Sequence, residues 1–110
     1  LQKGEFIMGT STDTVQSIDL IVTNPRIRGG RPCVLGTGIR VTDLVMASLF
    51  HQRSPDQIAS DFDITLAQTY AALAYYYQHK EVLDQDIKEQ IRLAQQLKLD
   101  HNRDKSPLLS

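Results

Sequence analysis

Two rhythms of apolar positions organise this chain, a short alternating one near its start and a helical one from about residue 42 onward. In residues 15–23, VQSIDLIVT, the side chains of Ile18, Leu20 and Val22 fall on one face of an extended backbone, which predicts a short strand. Asn24-Pro25 ends it. Residues 26–40 carry Gly29-Gly30, Gly36 and Gly38 around the brief apolar run Cys33-Val34-Leu35. A Gly-Gly pair suits a tight turn, because glycine enters left-handed conformations cheaply. This stretch reads as a hairpin or an ordered loop.

Four helices are predicted beyond it. Thr42 is a candidate N-cap for a helix beginning at Asp43, with Val41, Leu44, Val45, Ser48 and Leu49 at helical spacing. Ser54, Pro55 and Gln57 mark the start of a short helix over 55–62 whose apolar face is Ile58, Ala59 and Phe62. Thr65 and Gln68 form a second capping box, opening a helix over 66–79. Its stripe Leu66, Tyr70, Leu73 and Tyr77 is expected to face the core. Residues 82–99 complete the set, with Leu83, Ile87, Ile91 and Ala94 on one face and Asp84 four residues before Lys88. A polar, frayed tail is expected over 101–110. A flexible segment is expected over 1–14, polar apart from Phe6, Ile7 and Met8. The organisation is one domain over 15–100.

Composition narrows the class. The 110 residues suit a single domain, with 41% hydrophobic and 23% charged residues and a formal net charge of -1. That balance argues against a strongly basic coat protein for nucleic acid, though not against a binder with localised charge. One cysteine excludes an internal disulfide, no apolar run approaches the ~20 residues of a membrane span, and the first residues lack the apolar core of a signal peptide. A cytoplasmic address is the expectation.

The segment 55–79, a short helix, a turn and a longer helix, matches the helix-turn-helix plan, in which the second helix enters the major groove. With the expected stripe turned inward, Ala67, Gln68, Ala71, Tyr75 and Gln78 lie on or near the outer side. Gln68 is the candidate base-reading residue, since its amide matches the edge of adenine. This helix has no Arg and no Lys before Lys80. The cations gather upstream instead. Arg26, Arg28, Arg31 and Arg40 lie within fifteen residues that hold no acid. They read either as an arm gripping the DNA backbone or minor groove, or as a solvated turn whose arginines pair with Asp43, Asp61 or Asp63.

Catalytic patterns are not found. GRPCVLGT over 30–37 fails as a phosphate loop because Gly36 stands where lysine is required. Cys33 has no base beside it and reads as a small core residue. His51, His79 and His101 follow no ligand spacing, and the pairs Asp61/Asp63 and Asp84/Asp86 lack an acid–base context. No enzyme, metal or cofactor is expected. Tyr75, Tyr76 and Tyr77 cannot all face a core. With the last helix they suggest a homodimer using Tyr76, Leu83, Ile87 and Ile91.

Several of these pieces occur in order. Asn24-Pro25, Gly29-Gly30, Arg31-Pro32-Cys33-Val34-Leu35-Gly36-Thr37, Ile39, Val41, Ser54, Ile58, Ala59, Leu66, Ala71-Ala72-Leu73 and Tyr75-Tyr76 resemble the signature of the domain of unknown function 433 family, over roughly residues 18–80. The resemblance implies a mainly α fold, with a homeodomain-like helix-turn-helix core, a small N-terminal β hairpin and an additional C-terminal helix. It also implies an antitoxin-like role beside a PIN-like ribonuclease toxin. One position departs from the pattern: the arginine usual after Gly-Thr is Gly38 here, with Arg40 two positions on. The expected function is that of a DNA-binding antitoxin or repressor of its own operon, with double-stranded DNA as partner. The alternative is an interaction module that neutralises the toxin without binding DNA.

Overall fold

The computed structural model describes residues 12–109, with side chains through Arg103. The expected flexible segment falls mostly on residues 1–11, outside the described residues. Two short strands, β1 (Ile21–Val22) and β2 (Cys33–Val34), pair antiparallel with Ile21 opposite Val34 and Val22 opposite Cys33. Four helices follow: α1 (Val41–Phe50), α2 (Pro55–Phe62), α3 (Leu66–Gln78) and α4 (Lys80–Leu109). The architecture is mainly α, with a helix-turn-helix core behind a small hairpin.

The predicted strand over 15–23 shrinks to two residues. The partner strand is itself only two residues long, and beyond β1 one further bond, from Leu35 N–H to Leu20 O at 2.8 Å, continues the pairing. Ile18 is exposed. The connection between the strands closes on a 3-10 turn over Arg28–Gly30, where φ is 50° at Arg28, 65° at Gly29 and 81° at Gly30. Glycine suits the last two; a side chain at either would be strained.

Helix α1 starts two residues earlier than its sequence suggests. Arg40 is the N-cap, and Asp43 Oδ2 accepts from the Arg40 N–H at 3.1 Å. Thr42 caps nothing. It is buried inside the first turn, and its hydroxyl accepts from Gln90 Nε2 of α4 at 3.2 Å. The starts of α2 and α3 are as predicted. Ser54 Oγ accepts from Gln57 N–H at 3.2 Å, and Thr65 Oγ1 accepts from Gln68 N–H at 3.0 Å.

The core gathers Val34 from the hairpin, Val41, Leu44, Val45 and Ala47 from α1, Ile58 from α2, Ala72 and Tyr76 from α3, and Leu83 and Ile87 from α4. The closest-knit helix pair is α1 with α3. The buried face of α3 is Thr69, Ala72 and Tyr76, which corrects the expected stripe. Small residues at positions 69 and 72 allow close approach of α1, and the Thr69 hydroxyl is satisfied by Thr65 O at 3.0 Å. Leu66, Tyr70 and Tyr77 are thereby turned outward.

Only His79 separates α3 from α4. The junction is tied by Asp84, whose Oδ1 accepts from Tyr76 Oη at 2.7 Å and whose Oδ2 accepts from Lys80 Nζ at 2.9 Å. These two donors hold the Asp84 carboxyl below its ordinary range. Burial, then the bond to Asp84, pushes the Tyr76 phenol above its own. Asp84 therefore contributes stability at neutral pH that is lost as pH falls through its lowered pKa. Tyr76 contributes stability that is complete below the ordinary tyrosine pKa and is lost as pH rises beyond it. In a carboxyl NMR titration, Tyr76→Phe should move the Asp84 midpoint upward, toward that of an unperturbed aspartate; an unchanged midpoint would refute the tie.

The tail expected to fray continues α4 to Leu109. The radius of gyration, 20.3 Å, far exceeds the roughly 13 Å of a compact domain of 100 residues. Much of α4 extends past the core.

Candidate functional site

The helix-turn-helix unit is built by local chemistry. Helix α2 ends at Asp63, which adopts a left-handed conformation (φ 56°, ψ 50°), and Ile64 N–H then closes back onto Ala59 O at 3.0 Å. Two residues after Asp63 the capping box of α3 begins. In that box Gln68 Oε1 accepts from Thr65 N–H at 2.7 Å. Gln68, the expected base reader, thus already uses its carbonyl to hold the start of α3. Two-point pairing with adenine would require releasing it.

The outer face of α3 carries Leu66 (42% exposed), Tyr70 (55%) and Tyr77 (64%), with Ala67 and Ala74 exposed between them. Residues 66, 70, 74 and 77 follow one helical stripe, and none is charged. Ala71 and Tyr75, expected outside, are half-buried and line a groove with Ala74, Gln78 and the extended segment containing Gln16, Ile18 and Ile21. Tyr75 stacks on His79 with ring centres 4.1 Å apart. On the exposed side of α2 lie Asp56, Gln57, Ser60 and Asp61. Arg53 makes a two-point bond to Asp61 at 2.8 and 2.9 Å, and this holds the Asp61 carboxyl below its ordinary range. The surface of the helix-turn-helix unit is therefore neutral to acidic, with an apolar stripe.

Three of the four upstream arginines are occupied by carboxylates. Arg31 Nε donates to both oxygens of Asp86, at 3.2 and 2.9 Å. Arg40 bonds Asp43 through Nε and, at 2.7 Å, through Nη2. Arg28 approaches the same Asp43 at 4.0 Å. Arg26 is exposed, and among the described residues it forms no ion pair. Of the acids expected to pair with these arginines, Asp43 does so, Asp61 pairs with Arg53, and Asp63 serves as the C-cap of α2. Asp86 had no local signal, since it lies 55 residues from Arg31. Gln68 stands apart from this cluster, with no hydrogen bond or ion pair between them among the described residues.

The residues expected at a dimer interface are mostly buried. Tyr76, Leu83 and Ile87 are buried inside the chain's own core and are not available to a partner, because α4 folds back on α3 and α1 at that level; Ile91 alone is exposed. Cys33 is buried, its Sγ donating to Arg31 O at 3.4 Å, and burial pushes its thiol pKa up. The thiol stays protonated and is a poor nucleophile. Cys33→Ser should lower stability by about 1–3 kcal/mol through a buried hydroxyl. Chemical denaturation measures it, and a variant as stable as wild type would contradict the packing role.

The fold and surface together define a helix-turn-helix domain in which the second helix presents apolar side chains in place of cations. The sequence pattern of the family described as protein of unknown function (DUF433) matches residues 21–76, and the chain belongs to that family. The match runs from β1 to Tyr76 and stops short of α4. No curated protein and no solved structure matches the chain. Among the described residues no helix is long and apolar enough to cross a membrane.

Proposed function

We propose that the chain is a non-enzymatic, antitoxin-type interaction module whose protein partner docks on the outer stripe of α3. The observation that carries this reading is the uncharged row Leu66, Ala67, Tyr70, Ala74 and Tyr77 on the exposed side of that helix. Tyrosines in an exposed apolar row are the residue type that anchors protein interfaces. The partner class implied by the family resemblance is a PIN-like ribonuclease toxin, and a cytoplasmic address accompanies it.

A second reading is operator binding as a repressor. It is favoured by the short helix, three-residue turn and longer helix of the α2–α3 unit. It is weakened by the engaged Gln68 and by the ion pairs of Arg28, Arg31 and Arg40, since free cations supply most non-specific affinity for DNA. Co-purification from the native host, with protein and nucleic acid both identified, separates the two. A ribonuclease-like protein retained by wild type and lost from Tyr70→Asp supports the first reading. Salt-sensitive binding to the chain's own upstream duplex at about 0.15 M salt, with discrimination against a scrambled duplex, would replace it with the second.

A further inference from the structure

The face of α4 that buries Leu83 and Ile87 does not end where the core ends. Beyond Gln90, which still bonds Thr42 of α1, it turns gradually into an exposed stripe of Leu93, Ala94 and Leu97. Together with Met46 of α1 and with Arg31 and Arg40 these residues line an open groove beside the body. Leu93 is 44% exposed and Leu97 69%. Helices owe most of their stability in water to tertiary packing of an apolar face, so an unpartnered leucine pair on a protruding helix marks a missing contact.

We propose that this groove is filled by the same stretch of α4 from a second copy of the chain, lying antiparallel across a twofold axis near residue 95. Three features of the chain select this occupant. First, the stripe is self-complementary. In that register Leu93 of each copy meets Leu97 of the other, one turn apart on the same face. Second, the charges match. Asp100, whose Oδ1 accepts from Gln96 at 3.1 Å and faces the exposed Arg103 at 3.7 Å, keeps Oδ2 for a partner, and in the second copy it arrives at the level of Gln90, beside the Arg31 and Arg40 side chains of the groove wall. Arg40 uses Nε and Nη2 on Asp43, and Arg31 directs Nε to Asp86 and Nη1 to Arg28 O, so each guanidinium retains a further nitrogen with donor capacity. Third, only the antiparallel direction brings Asp100 to the remaining guanidinium nitrogens of Arg31 and Arg40. A parallel pair would set Asp100 against Asp100, far from the arginines. The contact is small beside the roughly 800 Å² per partner of a standard interface, so association in the micromolar range is expected. It uses a surface separate from the α3 stripe and is independent of what that stripe binds.

Sedimentation equilibrium of the full chain across about 1–100 micromolar tests the pairing. A monomer–dimer equilibrium is expected for wild type. Asp100→Arg keeps helix propensity and chain fold while turning attraction to the groove wall into repulsion, and should weaken the dimer by about tenfold. Leu97→Asp should abolish it. Direction is read by mixing Leu93→Cys and Leu97→Cys proteins under mild oxidation, where crosslinks between the two variants should exceed crosslinks within either. Monomer at all concentrations overturns the proposal. So does a dimer indifferent to Asp100→Arg, or one whose crosslinks join like with like.

Discussion

Ile58→Ala should lower the free energy of unfolding by about 2–5 kcal/mol, the range for truncating a fully buried isoleucine. Ile58 is the one buried residue of α2, with 0% of its surface exposed. The partly buried Phe62, the turn through Asp63 and the Arg53–Asp61 bond also attach that helix. For a domain whose total stability is about 5–15 kcal/mol, the loss is a large fraction of the whole. The effect should fall on the α2–α3 geometry first. Urea unfolding followed by far-ultraviolet circular dichroism measures it, with the slope unchanged if only stability is altered. Ser60→Ala, exposed on the same helix, serves as the control and should stay within about 0.5 kcal/mol of wild type. A loss under about 1 kcal/mol for Ile58→Ala would mean that α2 is held by something other than this side chain.

Tyr70→Asp should have the second large effect, and on binding instead of stability. More than half of Tyr70 is exposed, and the substitution is expected to leave unfolding within about 0.5 kcal/mol. Against a partner seated on the α3 stripe, a carboxylate placed in an apolar contact should cost at least about 2 kcal/mol, or roughly thirtyfold in affinity. Tyr77→Asp should behave alike, about two turns further along. Arg26→Ala gives the opposite profile under the two readings, with little change for a protein partner and a reduced salt slope for DNA. Calorimetric titration with the co-purified partner reads the first effect. Retention of full affinity by both tyrosine variants would remove the stripe as the docking surface.

What could be seen in the sequence, and what could not, divides along the range of the interactions. The starts of α2 and α3 were legible because Ser54–Gln57 and Thr65–Gln68 are complete within four residues each. The start of α1 was misplaced for a tertiary reason. Thr42 has the chemistry of a cap, but its hydroxyl is claimed by Gln90, 48 residues away. The face of α3 was misread because hydrophobic spacing favours large side chains, whereas close packing on α1 selected Thr69 and Ala72 and left the leucine and two tyrosines outside. That inversion changed the candidate site most, since it replaced a polar outer face with an apolar one. The arginine cluster was legible as a cluster, and its pairing with Asp43 was among the stated options; its second anchor, Asp86, depends on where α4 crosses the hairpin. Leu83 and Ile87 were read as one apolar face and Tyr76 as an interface tyrosine, but all three close the chain's own core.

The single-residue joint at His79 has a mechanical consequence. Because Tyr76, Lys80 and Asp84 clamp the two sides of that joint, α4 is a cantilever fixed at its base. A helix of 30 residues is about 45 Å long, so a rotation of about 5° at the base displaces its far end by about 4 Å. The same leverage works in reverse. Whatever seizes the tip applies torque to Tyr76, and through it to the helix whose outer side carries Tyr70 and Tyr77.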